Sequence, residues 1–415
     1  METVVTPQIS SRDKKRKRQN KKILLLLLIT GLTATVLVAT TYAWFVGIGT
    51  VKVNSFTVGI STDKALEISL DGITWNENIT INSDTIQAKT SGGSGLAYTG
   101  NTNKWVGTTG LVPVSSSGDN TNGKLNIFSK TSLTATNGGY RIISNQIDNT
   151  TEESDKYVTF DLFIKNNSGD VYTDTYNIND DEAVYLTNGT NGSKVTSGAS
   201  GSSSYGVQNS VRVAFVQVAR TSLDSLQANT TPNLVCTSSQ PSGTTALCNQ
   251  ATNTYKTVIW EPNEKAHASG LVSYFGTVCK TKSETGGNIT YGTACTGLTD
   301  GTAVQTYTVK QNISSSNNVD IYDGLNGYTT SISAPGATTP KYLQSTSTFT
   351  DTMKDVTTTA RQAFFKLAPH SVTKIRVYIY LEGQDVDNYD LITNDQSISV
   401  TFGFTKSQLD LTQFH

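Results

Sequence analysis

Tyr157-Val158-Thr159-Phe160-Asp161-Leu162-Phe163-Ile164-Lys165 is the stretch whose reading decides the fold. Successive side chains of an extended chain point to opposite faces, so Val158, Phe160, Leu162 and Ile164 share one face, as a half-buried strand requires. Further along, Val211-Arg212-Val213-Ala214-Phe215-Val216-Gln217-Val218-Ala219 is rich in β-branched residues and apolar on both faces except at Arg212 and Gln217. The same pattern recurs at Gly139–Ser144, Thr257–Trp260, Gln305–Val309, Lys374–Leu381 and Ser397–Phe404. Toward the N-terminus, Val51, Val53, Phe56, Val58 and Ile60 alternate with polar residues, with a slip at Asn54–Ser55 that predicts a bulge. Ala65–Leu70 and Ile73–Ile81, separated by Asp71-Gly72, predict a hairpin.

Between these strands lie long stretches of Ser, Thr, Asn and Gly. Residues 83–123, with apolar islands at Trp105 and at Leu111-Val112-Pro113-Val114, are predicted to connect strands, and 188–206 reads as a flexible loop. Helical periodicity is scarce. Thr352–Phe365 is the one candidate outside the N-terminal region, weakened by three consecutive threonines at 357–359. Many short strands, abundant turn residues and few helices predict an all-β fold, a β-sandwich or jelly-roll ectodomain with long loops.

Ahead of that body stands one N-terminal segment of a different kind. No charge occurs from Ile23 through Val51, a run of 29 residues, where about 20 apolar residues suffice to cross a bilayer as a helix. Residues 12–22 carry a Lys/Arg cluster, which stays on the cytoplasmic side of such a segment. The expected organisation is a basic cytoplasmic segment at 1–22, a transmembrane or signal-anchor helix at 23–46 and an extracellular region at 47–415. Residues 1–22 hold eight of the 32 Lys and Arg and two of the 33 Asp and Glu, a net of +6, and the remainder carries −7. A mildly acidic ectodomain argues against a nucleic-acid partner. Thr41-Tyr42-Ala43 places small residues at the −3 and −1 positions of a cleavage site between Ala43 and Trp44, so a retained anchor and a cleaved signal both fit.

Thr40-Thr41-Tyr42-Ala43-Trp44-Phe45, followed by Val53-Asn54-Ser55-Phe56-Thr57-Val58-Gly59-Ile60, resembles the start of Gram-positive surface proteins of the TasA and camelysin type. The resemblance implies cleavage after Ala43 and a place in a fibre or matrix at the cell surface. Ile259-Trp260-Glu261-Pro262-Asn263 and Tyr378-Ile379-Tyr380-Leu381-Glu382-Gly383-Gln384-Asp385 look like late signatures of a broader group of exported proteins with the same junction.

The four cysteines, Cys236, Cys248, Cys279 and Cys295, allow three pairings. Each sequential pair closes a short turn-rich loop, which favours Cys236–Cys248 and Cys279–Cys295 as local staples of an exported chain, within an insertion at about 221–355. A zinc site lacks any Cys-x-x-Cys, and only His267 lies in that region. Asp385, Asp387 and Asp390 cluster oxygen ligands of the kind calcium takes, but Tyr389 stands where an EF-hand needs a ligand, and the stretch equally reads as a solvated loop. Calcium apart, the sequence calls for no cofactor.

Three scattered histidines (His267, His370, His415), no Gly-x-Ser-x-Gly elbow and a Glu261/Glu264 pair better read as a strand end supply no catalytic constellation. The expectation is therefore a non-catalytic exported cell-surface protein rather than an enzyme. Processing after Ala43 would free Trp44-Phe45-Val46-Gly47-Ile48-Gly49-Thr50, an apolar strand-former that a like subunit could bury by strand addition. The alternative is a membrane-anchored adhesin or carbohydrate-binding protein, with Trp75 and Trp105 either facing a ligand or packing in a core.

Overall fold

The computed structural model describes residues 51–60, 65–82, 85–86, 110–129, 132–136, 139–147, 155–169, 181–187, 192–197, 207–237, 240–248, 257–261, 284–285, 288–289, 307–310, 343–345, 364–385 and 396–408, together with Lys22. The 23–46 segment, Ala43 and Trp44 lie outside them, and among the described residues no helix is long and apolar enough to cross a membrane. The described chain from Val51 onward is almost wholly β-structure, as expected.

Two six-stranded sheets dominate. Sheet A is built from β1 (Val51–Ile60), β3 (Asn78–Ile81), β11 (Glu182–Leu186), β12 (Lys194–Ser197), β20 (Phe365–Leu367) and β22 (Gln396–Gln408). Sheet B is built from β2 (Leu66–Ser69), β10 (Val158–Asn166), β13 (Val211–Ser222), β14 (Thr244–Ala246), β15 (Val258–Trp260) and β21 (Ser371–Leu381). The remaining strands pair locally: β4 (Val114–Ser115) with β7 (Phe128–Ser129), β5 (Asn120–Thr121) with β6 (Lys124–Leu125), and β8 (Ser132–Thr136) with β9 (Gly139–Ile143). Two further ladders join β16 (Glu284–Thr285) to β17 (Asn288–Ile289) and β18 (Tyr307–Val309) to β19 (Leu343–Ser345).

In sheet A the order is β20-β11-β22-β1-β3. The first and last strands, β1 and β22, pair in parallel, and their register shifts between Val53 and Phe56, where the sequence slip predicts a bulge. Sheet A is thus mixed, unlike the wholly antiparallel order of a jelly roll. β11 and β12 lie end to end along the other edge of β22. The polar 188–206 stretch therefore contains a short strand, with Val195 as its one buried anchor.

The expected hairpin at 66–81 is split between the sheets. β2 pairs with β10 in sheet B and β3 with β1 in sheet A, so only an Ile68–Asn76 bridge joins the two arms. A tight polar turn makes the crossing: the Asp71 carboxylate accepts from Ile73 N at 2.9 Å and Thr74 N at 2.8 Å, and Gly72 adopts φ +69°. The expected helix at 352–365 also fails at its described end, because Phe365 opens β20 and Phe364 N donates to Val184 O.

One apolar cluster fills the space between the sheets. Phe56, Val58, Val184, Phe402 and Phe404 come to it from sheet A, and Ile68, Phe160, Leu162, Val213, Phe215, Trp260, Ile375 and Val377 from sheet B. Phe215 packs edge-on against Phe364, Phe402 and Phe404, with ring centroids 4.4, 5.3 and 6.1 Å away. A second cluster covers the outer face of sheet B, where Val114, Leu125 and Ile127 pack on Ala214, Val216, Tyr378 and Tyr380. A third gathers Phe163, Val218, Leu234 and Val372, with Trp75 half-buried against it. Cys236 beside this cluster is bonded to Cys248, with Cα atoms 6.2 Å apart, as expected; Cys279 and Cys295 lie outside the described residues.

Sheet B is therefore buried on both faces, and every residue of β13 and β21 is buried. The half-buried strand expected at Tyr157–Lys165 is corrected accordingly, since Thr159, Asp161 and Phe163 on its second face are buried too. Phe215 stands at the meeting of both sheets, so Phe215→Ala should lower stability by about 3–5 kcal/mol. Thr80→Ala on the exposed edge of β3 should stay within about 0.5 kcal/mol. Denaturant unfolding of the two variants checks both values.

Candidate functional site

The alternation that sends Val211, Val213 and Phe215 into the core sends Arg212 to the outer face of sheet B, opposite Tyr380 of β21. Arg212 is fully buried there. One terminal nitrogen, Nη1, donates to the carbonyls of Asn209 at 2.9 Å and Val211 at 3.0 Å. The other, Nη2, donates to Glu261 Oε1 at 2.5 Å and to Asp385 Oδ2. A planar guanidinium with several fixed donors suits such a many-sided junction better than an ammonium would.

The two acids arrive from opposite sides. β15 pairs with β13 through Trp260 and Val213, so the residue after Trp260, Glu261, falls beside Arg212. Asp385 comes from the turn that ends β21, in which Glu382 N donates to Ser210 O and Gly383 N to Val114 O, each at 2.7 Å. Glu382 in the same turn accepts Gln384 N at 3.1 Å. The Ile-Trp-Glu and Leu-Glu-Gly-Gln-Asp stretches, remote in sequence, thus meet on one arginine.

Three carboxyl groups and one guanidinium share a site without water access. Burial works against the Arg212 charge, but Glu261, Asp385 and Glu382 outweigh it and raise its pKa. Burial lifts Glu382 to about 8, more than the Ser115 hydroxyl and Arg212 pull it down. Tyr380 is pushed well above its ordinary value by burial and by Glu382. The geometry locks three chain segments together, and its acids face a cation the protein itself supplies.

Asp385 is accordingly the anionic partner of Arg212, while Asp387 and Asp390 of the expected calcium cluster lie outside the described residues. Among the described residues no group of three or more His, Cys, Asp or Glu is arranged to hold a metal ion. Of the tryptophans, Trp260 is fully buried in the core, and Trp75 lies under the Lys165 ammonium, 4.7 Å from its ring centre. His370 makes a 3.2 Å contact with Asp224. Trp105, Glu264, His267 and His415 lie outside the described residues. Arg212 is visible in the sequence as the one charge of Val211–Ala219, a stretch apolar on both faces except there and at Gln217, which calls for a buried anion somewhere. Nothing local names Glu261 and Asp385 as that anion, because they lie 49 and 173 residues away. No protein-family model, curated protein or solved structure matches the chain.

Removing one partner of a buried ion pair leaves the other uncompensated, so Arg212→Met should destabilise the fold by about 3–5 kcal/mol in thermal or denaturant unfolding. Glu382 adds a pH dependence of definite sign. Between the ordinary carboxyl value of 4.5 and its folded value of about 8, the folded state keeps a proton that the unfolded chain has released. Its contribution is full below pH 4.5 and is lost as pH rises toward 8, at up to about 1.4 kcal/mol per pH unit. Unfolding curves of the wild type should therefore decline from about pH 5 to about pH 8, and Glu382→Gln should flatten that decline.

Proposed function

We propose that the chain is a non-catalytic structural protein of a cell surface, exported through its 23–46 segment, cut after Ala43 and assembled with like subunits into a fibre or matrix. Its body is a β-sandwich made of sheets A and B. The observation that carries this reading is the position of β1. It starts at Val51 and runs inside sheet A, between β22 and β3. A cut after Ala43 leaves Trp44–Thr50 immediately ahead of a strand that β22 holds from Val51 and β3 from Phe56.

Seven residues, once extended at about 3.3 Å each, would span roughly 23 Å, long enough to add to an edge of a neighbouring subunit. Trp44, Phe45, Val46 and Ile48 give that segment a strong reason to leave water. A two-sheet body with open edge strands and a short apolar extension together make a head-to-tail subunit, because donor and acceptor are different surfaces. The basic 1–22 segment stays in the cytoplasm until cleavage, and the mildly acidic body makes no nucleic-acid partner.

The mature protein recovered from producing cells should begin at Trp44 and form filaments visible by electron microscopy. Deleting residues 44–50 from it should leave the circular dichroism spectrum and melting temperature unchanged, because β1 begins at Val51, while light scattering reports a monomer. An intact Met1–His415 chain held in the membrane would overturn the reading in favour of an anchored surface adhesin.

A further inference from the structure

A second, part-buried cluster links the sheets to each other, at the ends of β10 and β22. Asn166 closes β10 in sheet B and is fully buried. Lys406 lies near the end of β22 in sheet A with its side chain 6% exposed, and Glu182 opens β11 beside it. The Lys406 ammonium is 3.0 Å from Asn166 Oδ1 and 3.1 and 2.9 Å from the two Glu182 oxygens. It also contacts the Ser168 hydroxyl.

The amide orientation follows from its neighbours. Asn166 Nδ2 faces two acceptors, Glu182 Oε2 at 2.6 Å and Ala368 O at 3.0 Å. Its Oδ1 faces the Lys406 ammonium and the Ser168 N–H at 3.2 Å, which only donate. The Ser168 hydroxyl stands 2.8 Å from Oδ1 and 2.7 Å from Glu182 Oε2. An amine, an amide carbon and a carboxylate that touches both the amine and the amide nitrogen are thus held together in one site.

We propose that Lys406 and Asn166 join through an intramolecular isopeptide bond that forms in the folded chain, with Glu182 moving the protons. Within the ion pair Lys406 passes a proton to Glu182, leaving a neutral amine and a neutral acid. The amine lone pair attacks Asn166 Cγ, which lies one carbonyl bond beyond an oxygen already 3.0 Å away. Negative charge then gathers on Oδ1, where the Ser168 N–H is placed to stabilise it. Glu182 delivers its proton to Nδ2, the old C–N bond breaks and ammonia leaves, taking the surplus proton as ammonium. One C–N bond forms and one breaks, with no change in oxidation state and no co-reactant.

Glu182 rests as a carboxylate, so the proton it takes from Lys406 moves uphill before the attack. Burial raises its pKa, but hydrogen bonds from Ser168, Lys406 and Asn166 outweigh that and hold it below the ordinary value. The resting state is then an ion pair from which the proton transfer starts. Lys374, a fully buried lysine of sheet B, makes a useful contrast. It lies 3.0 Å from Asp161, whose carboxylate also takes Arg376 Nε at 3.0 Å. A carboxylate shared by two cations is a poor electrophile, so no bond is assigned there.

Intact-mass and tryptic peptide mapping of the purified, reduced protein test the proposal. The wild type should weigh one ammonia less than its sequence and yield a branched peptide joining the Lys406 and Asn166 segments. Lys406→Arg and Glu182→Gln should each restore the full mass and abolish the branched peptide, the second while leaving both reacting residues in place. A wild type of full mass with separate, unmodified Lys406 and Asn166 peptides would overturn it, whether or not either variant folds. Loss of ammonia with Lys406 still open to trypsin, as in cyclisation of Asn166 alone, would overturn it equally.

Discussion

Sheet B lies between two apolar layers, and that burial governs the rest of the molecule. The charged side chains of β13 and β21, and Asp161 of β10, have no route to water, so each must meet its counter-charge in place. Asp161 of β10 faces Arg376 and Lys374 of β21, Arg220 of β13 reaches Asp181 at 3.1 Å, and Arg212 holds Glu261 and Asp385. Burial pulls the Lys374 ammonium below its ordinary range even with Asp161 beside it. Such pairs add little net stability over apolar replacements, although breaking one is costly. Their use here is in register. A strand apolar on one face has its register fixed by the two-residue period, but a strand apolar on both faces can slip without exposing anything. A slip between β10 and β21 would separate Asp161 from Arg376, which are direct register partners, and leave both charges buried alone.

The same property shows how far the sequence can be read. A strand that alternates, such as 51–60, reveals its position, its buried face and even its bulge, because each feature is local. Partnership is not local: β1 finds β22 more than three hundred residues later, and the parallel direction of that pair has no sequence mark. The split of the 66–81 hairpin is hidden for a related reason. Asp71-Gly72 is a turn in either case, and whether β3 returns to β2 or crosses to β1 depends on apolar faces that belong to the other sheet. Residues 83–123 read as loop because their apolar islands are short, yet Val114 from one of them, with Leu125 and Ile127 just beyond, covers the outer face of sheet B. Of the Arg212 junction, only the arginine was legible, as an exception to its strand. Asn166, Glu182 and Lys406 carry no sequence signal, since each is an ordinary polar residue at a strand end until the two sheets close.

The position of β1 also sets what assembly would demand of the fold. A neighbour holding residues 44–50 would pull along the axis of β1, and hydrogen bonds along both edges of a strand resist such a pull together. The ladder to β22 is the longer of the two, so the load passes mainly to β22. From there it must reach sheet B, across apolar packing that is non-directional and offers little resistance to sliding and a few side-chain hydrogen bonds, such as Gln217 Nε2 to Lys366 O and Asn166 Nδ2 to Glu182. A covalent link from Lys406 on β22 to Asn166 on β10 lies on that path. It would carry tension from the strand that a neighbour grips into the sheet where the Arg212 junction and the Asp161 pairs hold register. For a subunit that met its neighbours through a terminal strand, the partner of that strand would be the place where such a bond bears the load.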